Sequence, residues 1–499
     1  MLYAAFIALL APVCLSQSNP QISLDTSETL FTVLAAINSC GFDAELDASE
    51  PLRSQVRQQV AAAVEASQEA KDVKQAMCDF YTAHQLPDPS RTLAQYISLA
   101  LYLSPPPALA PKVKDADLAP DAAVLTGILQ PLQKFYELAG LHAIWERNQA
   151  VYDQLMARYH EPLAKILFDT EIYLKLPSAG YLGRGFTVYV DAMGAPGQVN
   201  ARNYGSDYYV VIAPGKGSGL KTDQIRHAYL HYLLDPLALK YPEALKRLQP
   251  LLETVKNAPM DPNFKTDAAL LVTECMIRAV EARTTGSSKT PEAQRLQAVD
   301  DSEKQGFVLT EYFYQALLGF EKSPAGLRNV YGEMLNNIDV RKEQRQAQEV
   351  HFASTAAPEV LHLTSPEQGK LLLTAAERLS AGDPQAAQKL AQQALDEKKE
   401  DPGRALFILA QVATANRDIQ GARSYFQQAL EVAHEPRVLA WSHIYLGRIF
   451  DLQENREAAL DQYRAALTTG SELPEAKAAA ERGIQKPYEP PRRPQQPEQ

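Results

Sequence analysis

Apolar residues recur three and four positions apart through residues 25–175, which is the spacing of amphipathic helices. Two helix starts are marked by a proline that follows a polar residue, at Pro51 and at Pro89. The segment 104–111 (SPPPALAP) divides this stretch, because successive prolines favour an extended connection over a helix. The pattern predicts an N-terminal helical region that spans residues 17–175.

After Pro177 the pattern changes to short runs of β-branched and aromatic residues. Residues 186–191 (FTVYVD) and 207–214 (DYYVVIAP) are predicted to form two strands that pair with each other. The chain between them is rich in Gly, Pro and Asn. Its segment 200–205 has two interpretations: a hairpin turn with a packed tyrosine, or a sheet edge that receives a peptide backbone by strand addition.

Helical spacing returns after the strands. Thr222 or Asp223 can cap a helix that is expected to run to about Leu234 and to end before Asp235-Pro236. Further helices are predicted over residues 242–256, 266–285, 291–320 and 323–350. The periodicity is lost at residue 351, so residues 356–368 are predicted to be a linker that ends the first globular part.

The last part of the chain contains an internal repeat with an offset of 37 residues, from Leu409 to Leu446. The alignment superposes Leu409-Ala410 with Leu446-Gly447, Ala422 with Ala459, Phe426 with Tyr463 and Ala429 with Ala466, and a fainter earlier copy places Ala375, Ala387, Ala391 and Ala394 at the same internal spacings. Repeats of this length predict an architecture built from stacked units. A generic bundle of antiparallel helices is the alternative.

These small and aromatic positions resemble the tetratricopeptide repeat. The resemblance implies an α-solenoid over residues 369–486, made of three units and a terminal helix, that binds a protein or peptide. The Pro/Gln-rich tail, residues 487–499, is expected to be disordered.

The first 16 residues are an apolar run followed by small residues, which is typical of a secretory signal peptide. The run lacks a basic residue, so an uncleaved hydrophobic first helix is the alternative. It is shorter than the roughly 20 apolar residues that span a membrane, and no later segment qualifies. The expected location is therefore secreted or periplasmic. The net charge of −11 argues against nucleic acid as a partner.

An exported protein can form disulfides, and three cysteines follow the leader. Cys40 and Cys78 both lie in the helical region, so a bridge between them is one expectation. Two separately buried thiols are the other. Cys275 lies on a predicted helix and needs no partner.

The segment 227–231 (HAYLH) contains two histidines four positions apart, which project from one face of a helix and can bind one metal ion. In the HExxH motif of zinc hydrolases, a glutamate follows the first histidine and acts as the general base. Ala228 occupies that position here, so the ligands are present and the usual base is not. An ordinary core helix with hydrogen-bonded histidines is the alternative.

A third ligand is predicted at Glu274, on a helix 43 positions after His231. Arg278, four residues further on, can hold the second oxygen of Glu274, and Asp235 can orient the ring of His231. Glu281 is the reserve ligand. Two imidazoles and one carboxylate suit Zn²⁺ with a water in the fourth position, and they also suit Fe or Mn in other geometries.

The order of strands, HxxxH helix and later acidic residue resembles zincin metallopeptidases of the glutamate-liganded type. More narrowly, RHAYLHYLLDPLALKY followed by ECMIRAVEAR resembles uncharacterised bacterial zincin-like domains with HE..H...NP and E..VRAV at these places. The resemblance covers about residues 176–290, within a predicted zincin-like region of residues 176–355. It implies His227, His231 and Glu274 as metal ligands.

The expected fold is mainly α with a small β-sheet, an α+β zincin-like unit followed by the α-solenoid. The expected function is binding: a degenerate peptidase domain that retains zinc and is not an active peptidase, with a repeat array for a protein or peptide. The alternative is an active zinc-dependent peptide hydrolase of the cell envelope. Its base would come from elsewhere, with Glu281, Tyr229 or Asp207 as candidates by residue type.

Overall fold

The structure of the chain is a computed structural model. It describes residues 22–113, 118–176, 185–204, 207–217, 219–284, 286, 290–357, 361–363, 371–380, 382–398, 400–470 and 473–489. The predicted signal peptide and most of the predicted disordered tail lie outside these residues. Within the described residues the protein is mainly helical with one small sheet, which confirms the predicted fold class at this level.

The N-terminal region begins with a strand and continues as helices. Its elements are β1 (Ile22–Asp25), α1 (Glu28–Ser39), α2 (Pro51–Glu65), α3 (Gln68–Ala83), α4 (Pro89–Tyr102), α5 (Pro120–Ala123), α6 (Leu129–Leu138) and α7 (Leu141–Leu174). Both predicted helix starts are confirmed, since Pro51 and Pro89 occupy the first turns of α2 and α4. The Asp88 side chain caps α4 by accepting a hydrogen bond from the backbone N–H of Ser90 at 2.8 Å.

The sheet has five strands in the order β1-β2-β4-β3-β5, with β2 (Gly185–Val190), β3 (Val199–Tyr204), β4 (Asp207–Ile212) and β5 (Leu361–Leu363). The two predicted strands pair as β2 and β4, and they run parallel. Parallel neighbours cannot be joined by a tight turn, so the chain between them has room for another element. That element is β3, which pairs antiparallel with β4.

The prediction of a hairpin turn at residues 200–205 is therefore wrong for its described residues, 200–204, which form most of β3. The same strand is only partly an open edge, because Val199, Asn200 and Ala201 pair with β5. β5 itself lies within the predicted linker 356–368, so three linker residues pass along the sheet. The pairing with β5 leaves no local sequence signal, because β5 is distant along the chain, whereas β3 and β4 are neighbours in the sequence.

The helices after the sheet are shorter than the periodicity predicts. They are α8 (Thr222–Leu239), α9 (Pro242–Leu248), α10 (Pro262–Thr266), α11 (Ala268–Thr284), α12 (Glu292–Lys304), α13 (Thr310–Lys322), α14 (Leu327–Asn336) and α15 (Val340–Glu349). The predicted helix 291–320 is broken near Gly306, whose φ of +109° is incompatible with a right-handed helix. Conversely, α8 continues through Pro236 to Leu239 instead of ending near Leu234.

One hydrophobic core extends from Leu30 to Ala347 and joins the N-terminal helices, the sheet and the helices that follow it. It includes the fully buried Phe31, Phe186 and Tyr229. Packing is therefore continuous across the predicted boundary at residues 175 and 176. This continuity matters for the site, because the helix that carries the two histidines is fixed between the sheet and α11.

The C-terminal helical array consists of α16 (Leu371–Ser380), α17 (Pro384–Glu397), α18 (Pro402–Ala415), α19 (Ile419–Val432), α20 (Pro436–Leu452), α21 (Arg456–Thr469) and α22 (Pro474–Gln485). The helices pack as successive pairs, each pair against the next. Positions equivalent in the sequence repeat are buried in every pair: Ala387, Ala391 and Ala394; Ala422, Phe426 and Ala429; Ala459, Tyr463 and Ala466. The predicted disordered tail begins in contact with α20, since the backbone N–H of Tyr488 donates to Asp451 at 2.8 Å.

The array contacts the rest of the protein along one face. Arg437 of α20 forms a buried ion pair with Asp207 of β4, with 2.5 Å between Nη1 and Oδ1. Arg378 of α16 donates a hydrogen bond to the carbonyl oxygen of Leu239, at the end of α8. α22 packs against β1. The surface of the array around Arg437 and the buried Trp441 is thus occupied by the chain's own sheet.

A disulfide joins Cys40, just after α1, to Cys78 in α3. The bridge expected from the sequence is confirmed over the alternative of two separate thiols. Cys275 is a buried free thiol, as predicted. No helix among the described residues is both long and apolar enough to cross a bilayer.

Two glycine substitutions are expected to have opposite effects on stability. A Cβ at Gly447 of α20 would lie 2.7 Å from Cε1 of Tyr463, so Gly447→Ala should lower the free energy of unfolding by about 1–2 kcal/mol through overpacking. Gly319 of α13 has nothing within 4 Å of the same position, so Gly319→Ala should raise it by about 0.5–1 kcal/mol. Thermal unfolding of both variants beside the wild type checks the pair. Equal effects would contradict the close approach of α20 and α21.

Candidate metal centre

The structure brings together the three residues that the sequence predicts as ligands. His227 and His231 lie one turn apart on α8, and Glu274 lies on the neighbouring helix α11. Both imidazole Nε2 atoms approach the same carboxylate oxygen, Oε2 of Glu274, at 3.3 Å from His227 and 3.1 Å from His231. One ligand atom from each residue lies within 4.8 Å of the other two. The three side chains therefore converge on one point.

The burial of the three residues is graded. The side chains of Glu274 and His231 are 2% and 3% exposed, whereas that of His227 is 16% exposed. A buried imidazole or carboxylate requires a partner for each polar atom, because desolvation without one costs several kcal/mol. Access to the centre is through the His227 side.

Each histidine is oriented by a second carboxylate on its other ring nitrogen. Nδ1 of His231 lies 3.0 Å from Oδ1 of Asp235, one turn further along α8. Nδ1 of His227 lies 2.9 Å from Oε1 of Glu281 on α11. A carboxylate on Nδ1 fixes the ring orientation and directs Nε2 at the centre, as in metal-binding histidines. The prediction for Asp235 is confirmed, while Glu281, the reserve ligand, orients His227 instead.

Arg278 contacts the second carboxylate oxygen of Glu274. Nε of Arg278 lies 2.7 Å from Oε1 of Glu274, the predicted i, i+4 ion pair. The pair is a close charge contact, although the Nε–H direction does not meet hydrogen-bond geometry. The Arg278 guanidinium lies 3.8 Å from the centroid of the Phe307 ring, which fixes its position. One oxygen of Glu274 is thus neutralised, and the other faces both histidines.

The distances fit a small tetrahedral cation. With Zn–N and Zn–O bonds of about 2.0–2.1 Å, two ligand atoms at a tetrahedral angle are about 3.3 Å apart. The two observed approaches to Glu274 Oε2, 3.1 and 3.3 Å, match that edge. Two imidazoles and one carboxylate leave a fourth position for water or another ligand. Two of the three edges of a tetrahedral Zn²⁺ site are therefore present, and the three ligand atoms lie within 4.8 Å of one another.

The carboxylates also shift the pKa values of the centre. Burial alone lowers the pKa of each histidine, but the charges of Glu281 and Glu274 outweigh it for His227 and raise its pKa to about 10. Asp235 and Glu274 raise the pKa of His231 to about 9 in the same way. Burial alone raises the pKa of Glu274, whereas His227 and Arg278 hold it well below its usual value. Without a metal, both rings carry a proton at neutral pH.

The charge of the centre balances in two states. Two imidazolium ions and Arg278 offset the carboxylates of Glu274, Glu281 and Asp235. Exchange of the two ring protons for one divalent cation leaves the total charge unchanged. The same residues therefore accommodate either two protons or one metal ion.

Zinc binding is expected to release close to two protons at pH 7. The pKa values of about 9 and 10 mean that both rings must lose a proton, so the logarithm of the association constant should rise with pH at a slope near two. The slope should fall toward zero above about pH 10. The metal-free protein has the opposite trend: stability from these raised pKa values is complete below the unfolded value of about 6.5 and is lost as pH rises through 9 to 10. Calorimetric zinc titration in two buffers of different ionisation enthalpy counts the protons, and zero release at pH 7 would contradict the assignment.

None of the candidate general bases is positioned over the centre. Tyr229 faces away from it, packs 4.9 Å from the Phe186 ring centroid and donates a hydrogen bond to Glu171. Asp207 is paired with Arg437 at the sheet. Glu281 is held by Nδ1 of His227. Ala228 is fully buried and carries no group that accepts a proton.

Sequence reasoning missed two parts of this neighbourhood. Phe307, behind Arg278, belongs to a segment that has no spacing relation to the motif. Arg226 and Thr284, which continue the contact between α8 and α11 beyond His227, form a hydrogen bond that no motif indicates. Their adjacency to His227 and Glu281 in the sequence was the one available signal.

Comparisons of the chain with protein-family models, with curated proteins and with solved structures find no match in any of the three.

Proposed function

We propose that the protein binds a zinc ion through His227, His231 and Glu274 and does not use it to hydrolyse peptides. The observation that carries the proposal is the approach of both Nε2 atoms to one oxygen of Glu274, while a carboxylate holds each Nδ1. A core histidine pair needs only one partner for each polar atom. Convergence of two rings on one carboxylate oxygen, with matching second carboxylates, is the arrangement of a metal site.

The lack of a positioned base supports binding over catalysis. A zinc hydrolase needs a group that takes a proton from the metal-bound water, and this step is typically worth about 10² to 10⁴ in rate. Glu281 is held by Nδ1 of His227, Tyr229 and Asp207 have partners away from the centre, and Ala228 is enclosed. We place the chain among zincin-like domains that have kept the ligands and lost the base.

A cleavage assay separates this proposal from the alternative of an active peptide hydrolase. Zinc-loaded protein is incubated with a diverse peptide mixture, and the products are followed by mass spectrometry. We expect no cleavage that a chelator removes. Cleavage that disappears both with chelator and in Glu274→Gln would establish the hydrolase and overturn the binding proposal.

We further propose that the C-terminal helical array is a set of tetratricopeptide repeats that binds a protein or peptide. Its support is the match between the 37-residue sequence repeat and the buried small and aromatic positions in three successive helix pairs. The face around Arg437 and Trp441 is covered by the sheet, so the partner surface is the part of the array that this contact leaves open.

Peptide selection on the immobilised full-length protein tests the array. We expect enriched peptides to share a motif, and hydrogen exchange to show protection within residues 371–485 when they bind. Glu274→Gln should leave this binding unchanged, since the hydrogen bond that joins the array to α8 is at Leu239, two turns beyond His231. Protection confined to residues outside the array would contradict it.

The proposed location is secreted or periplasmic. The Cys40–Cys78 disulfide supports export, because disulfides persist in oxidising compartments and are rare in the cytosol. Mass spectrometry of the native protein, with Gln17 as the expected first residue, tests the leader.

A further inference from the structure

A cavity of about 340 Å³ lies between α7, the start of α8 and the end of α11. Its size is within the range of small-molecule sites. The residues that define its chemistry are Thr170 and Tyr173 of α7, Thr222 and Arg226 of α8, and Val280 and Thr284 of α11. It adjoins the metal centre without sharing its ligands, because Arg226 and Val280 directly precede His227 and Glu281 in the chain.

Arg226 differs from the other buried arginines of the described residues. Arg53 donates to the carbonyls of Ala44 and Phe42 and to two side chains, Arg202 has two carbonyls and Asp121, and Arg437 has Asp207. Arg226 is 7% exposed, and the hydrogen-bond partner that the structure gives it is the neutral hydroxyl of Thr284. It makes no ion pair with any described residue.

Burial of a guanidinium without a counter-ion costs free energy, because the group loses hydration and gains no opposite charge. The cavity wall is where Arg226 reaches open space, so a ligand there can supply that charge. The first turn of α8, beside Arg226, already contains the carboxylate of Asp223, which offsets the helix dipole. The attraction for an anion therefore comes from Arg226.

The other lining residues restrict the class of anion. Lys165 and Asp169 at the rim form an ion pair with each other, and Asp223 is exposed beside them. The four charged side chains of the lining, Lys165, Asp169, Asp223 and Arg226, sum to zero, so the cavity favours a singly charged group at Arg226 over phosphate. Ile166, Tyr173 and Val280 provide apolar surface for the rest of the molecule.

We propose that this cavity binds a carboxylate carried on an apolar body, with the Arg226 guanidinium as its counter-ion. The carboxylate accepts hydrogen bonds from the guanidinium donors that Thr284 does not use, in the fork geometry that Arg offers. The C-terminus of a peptide with an apolar last residue and a small organic acid both present this chemistry. The site does not depend on zinc.

Calorimetric titration tests the site with four probes: N-acetylphenylalanine, its C-terminal amide, hexanoate and inorganic phosphate. We expect the two carboxylates to bind roughly tenfold or more tightly than the amide and phosphate, because the charge-assisted hydrogen bonds are lost with the amide. N-acetylphenylalanine that binds more tightly than hexanoate identifies a peptide C-terminus, and the reverse order identifies a small acid. Amide or phosphate binding equal to that of the acids would overturn the proposal, as would no binding of any acid at millimolar concentration.

Variants assign the binding to Arg226. Arg226→Gln should weaken N-acetylphenylalanine by roughly tenfold or more, and Arg226→Lys, which keeps the charge and loses the fork, should lie between it and the wild type. Arg345→Gln, at an exposed arginine of α15 outside the cavity, is the matched control and should change the affinity less than about threefold. If Arg226→Gln fails to fold, Arg226→Lys carries the test. Wild-type affinity in a folded Arg226 variant would refute the assignment.

Discussion

Replacement of His231 by alanine is expected to abolish stoichiometric zinc binding. His231 is 3% exposed, and its two nitrogens contact Glu274 and Asp235, so no other side chain can take its place. The loss of affinity should exceed the roughly 10- to 100-fold that follows removal of a group that merely orients a ligand. Competition with a chelator of known affinity measures it.

Three further variants calibrate this result. Asp235→Asn and Glu281→Gln remove the charge that holds each Nδ1 and should weaken zinc by about 10- to 100-fold each. His160→Ala removes an exposed histidine of α7 and should leave the affinity unchanged. Stoichiometric zinc in a folded His231→Ala protein would show that the metal lies elsewhere.

Loss of the Cys40–Cys78 disulfide is expected to lower the free energy of unfolding by about 4 kcal/mol. The bridge closes a loop with a sequence separation of 38, and its entropic effect acts on the unfolded chain. Urea unfolding of the Cys40→Ser, Cys78→Ser double variant measures the change against the oxidised wild type.

The wild type under reducing conditions should unfold like the double variant, and reductant should not affect the variant itself. Its zinc content should stay at the wild-type level, because Cys40 and Cys78 belong to the N-terminal helical region and the ligands lie on α8 and α11. A double variant as stable as the wild type would mean that the bridge adds nothing.

Local patterns in the sequence predicted the metal centre better than the sheet. His227, His231 and Asp235 share a helix face through spacing alone, and Arg278 reaches Glu274 by the same rule. Only the contact between α8 and α11 needed a guess about tertiary structure. The guess rested on Arg278, the charged partner of Glu274 one turn away, and the structure has the Glu274 carboxylate beside both histidines.

The sheet and the helix boundaries depend on distant partners. β1 and β5 are short and pair with strands from distant parts of the chain, and β3 pairs both with its sequence neighbour β4 and with the distant β5, so no hydrophobic alternation identifies these three strands. Pro236 was expected to end α8, yet tertiary packing of Leu237 and Ala238 in the core carries the helix past it. Local sequence preferences determine where α2 and α4 begin, whereas tertiary packing determines where α8 ends.

The ion pair between Arg437 and Asp207 could not be foreseen from the sequence. The two residues are 230 positions apart, in parts of the sequence that resemble different families. Their contact ties the array to the first residue of β4 and restricts the surface of the array that is available to a partner.

The most direct test of the metal assignment is the zinc content of protein purified without a histidine tag, dialysed against zinc and then against metal-free buffer. We predict about one zinc per chain in the wild type and almost none in Glu274→Gln, which keeps the shape of the side chain and removes the charge that both histidines face. A wild type without zinc, or a Glu274→Gln protein that retains a full equivalent, would contradict the account.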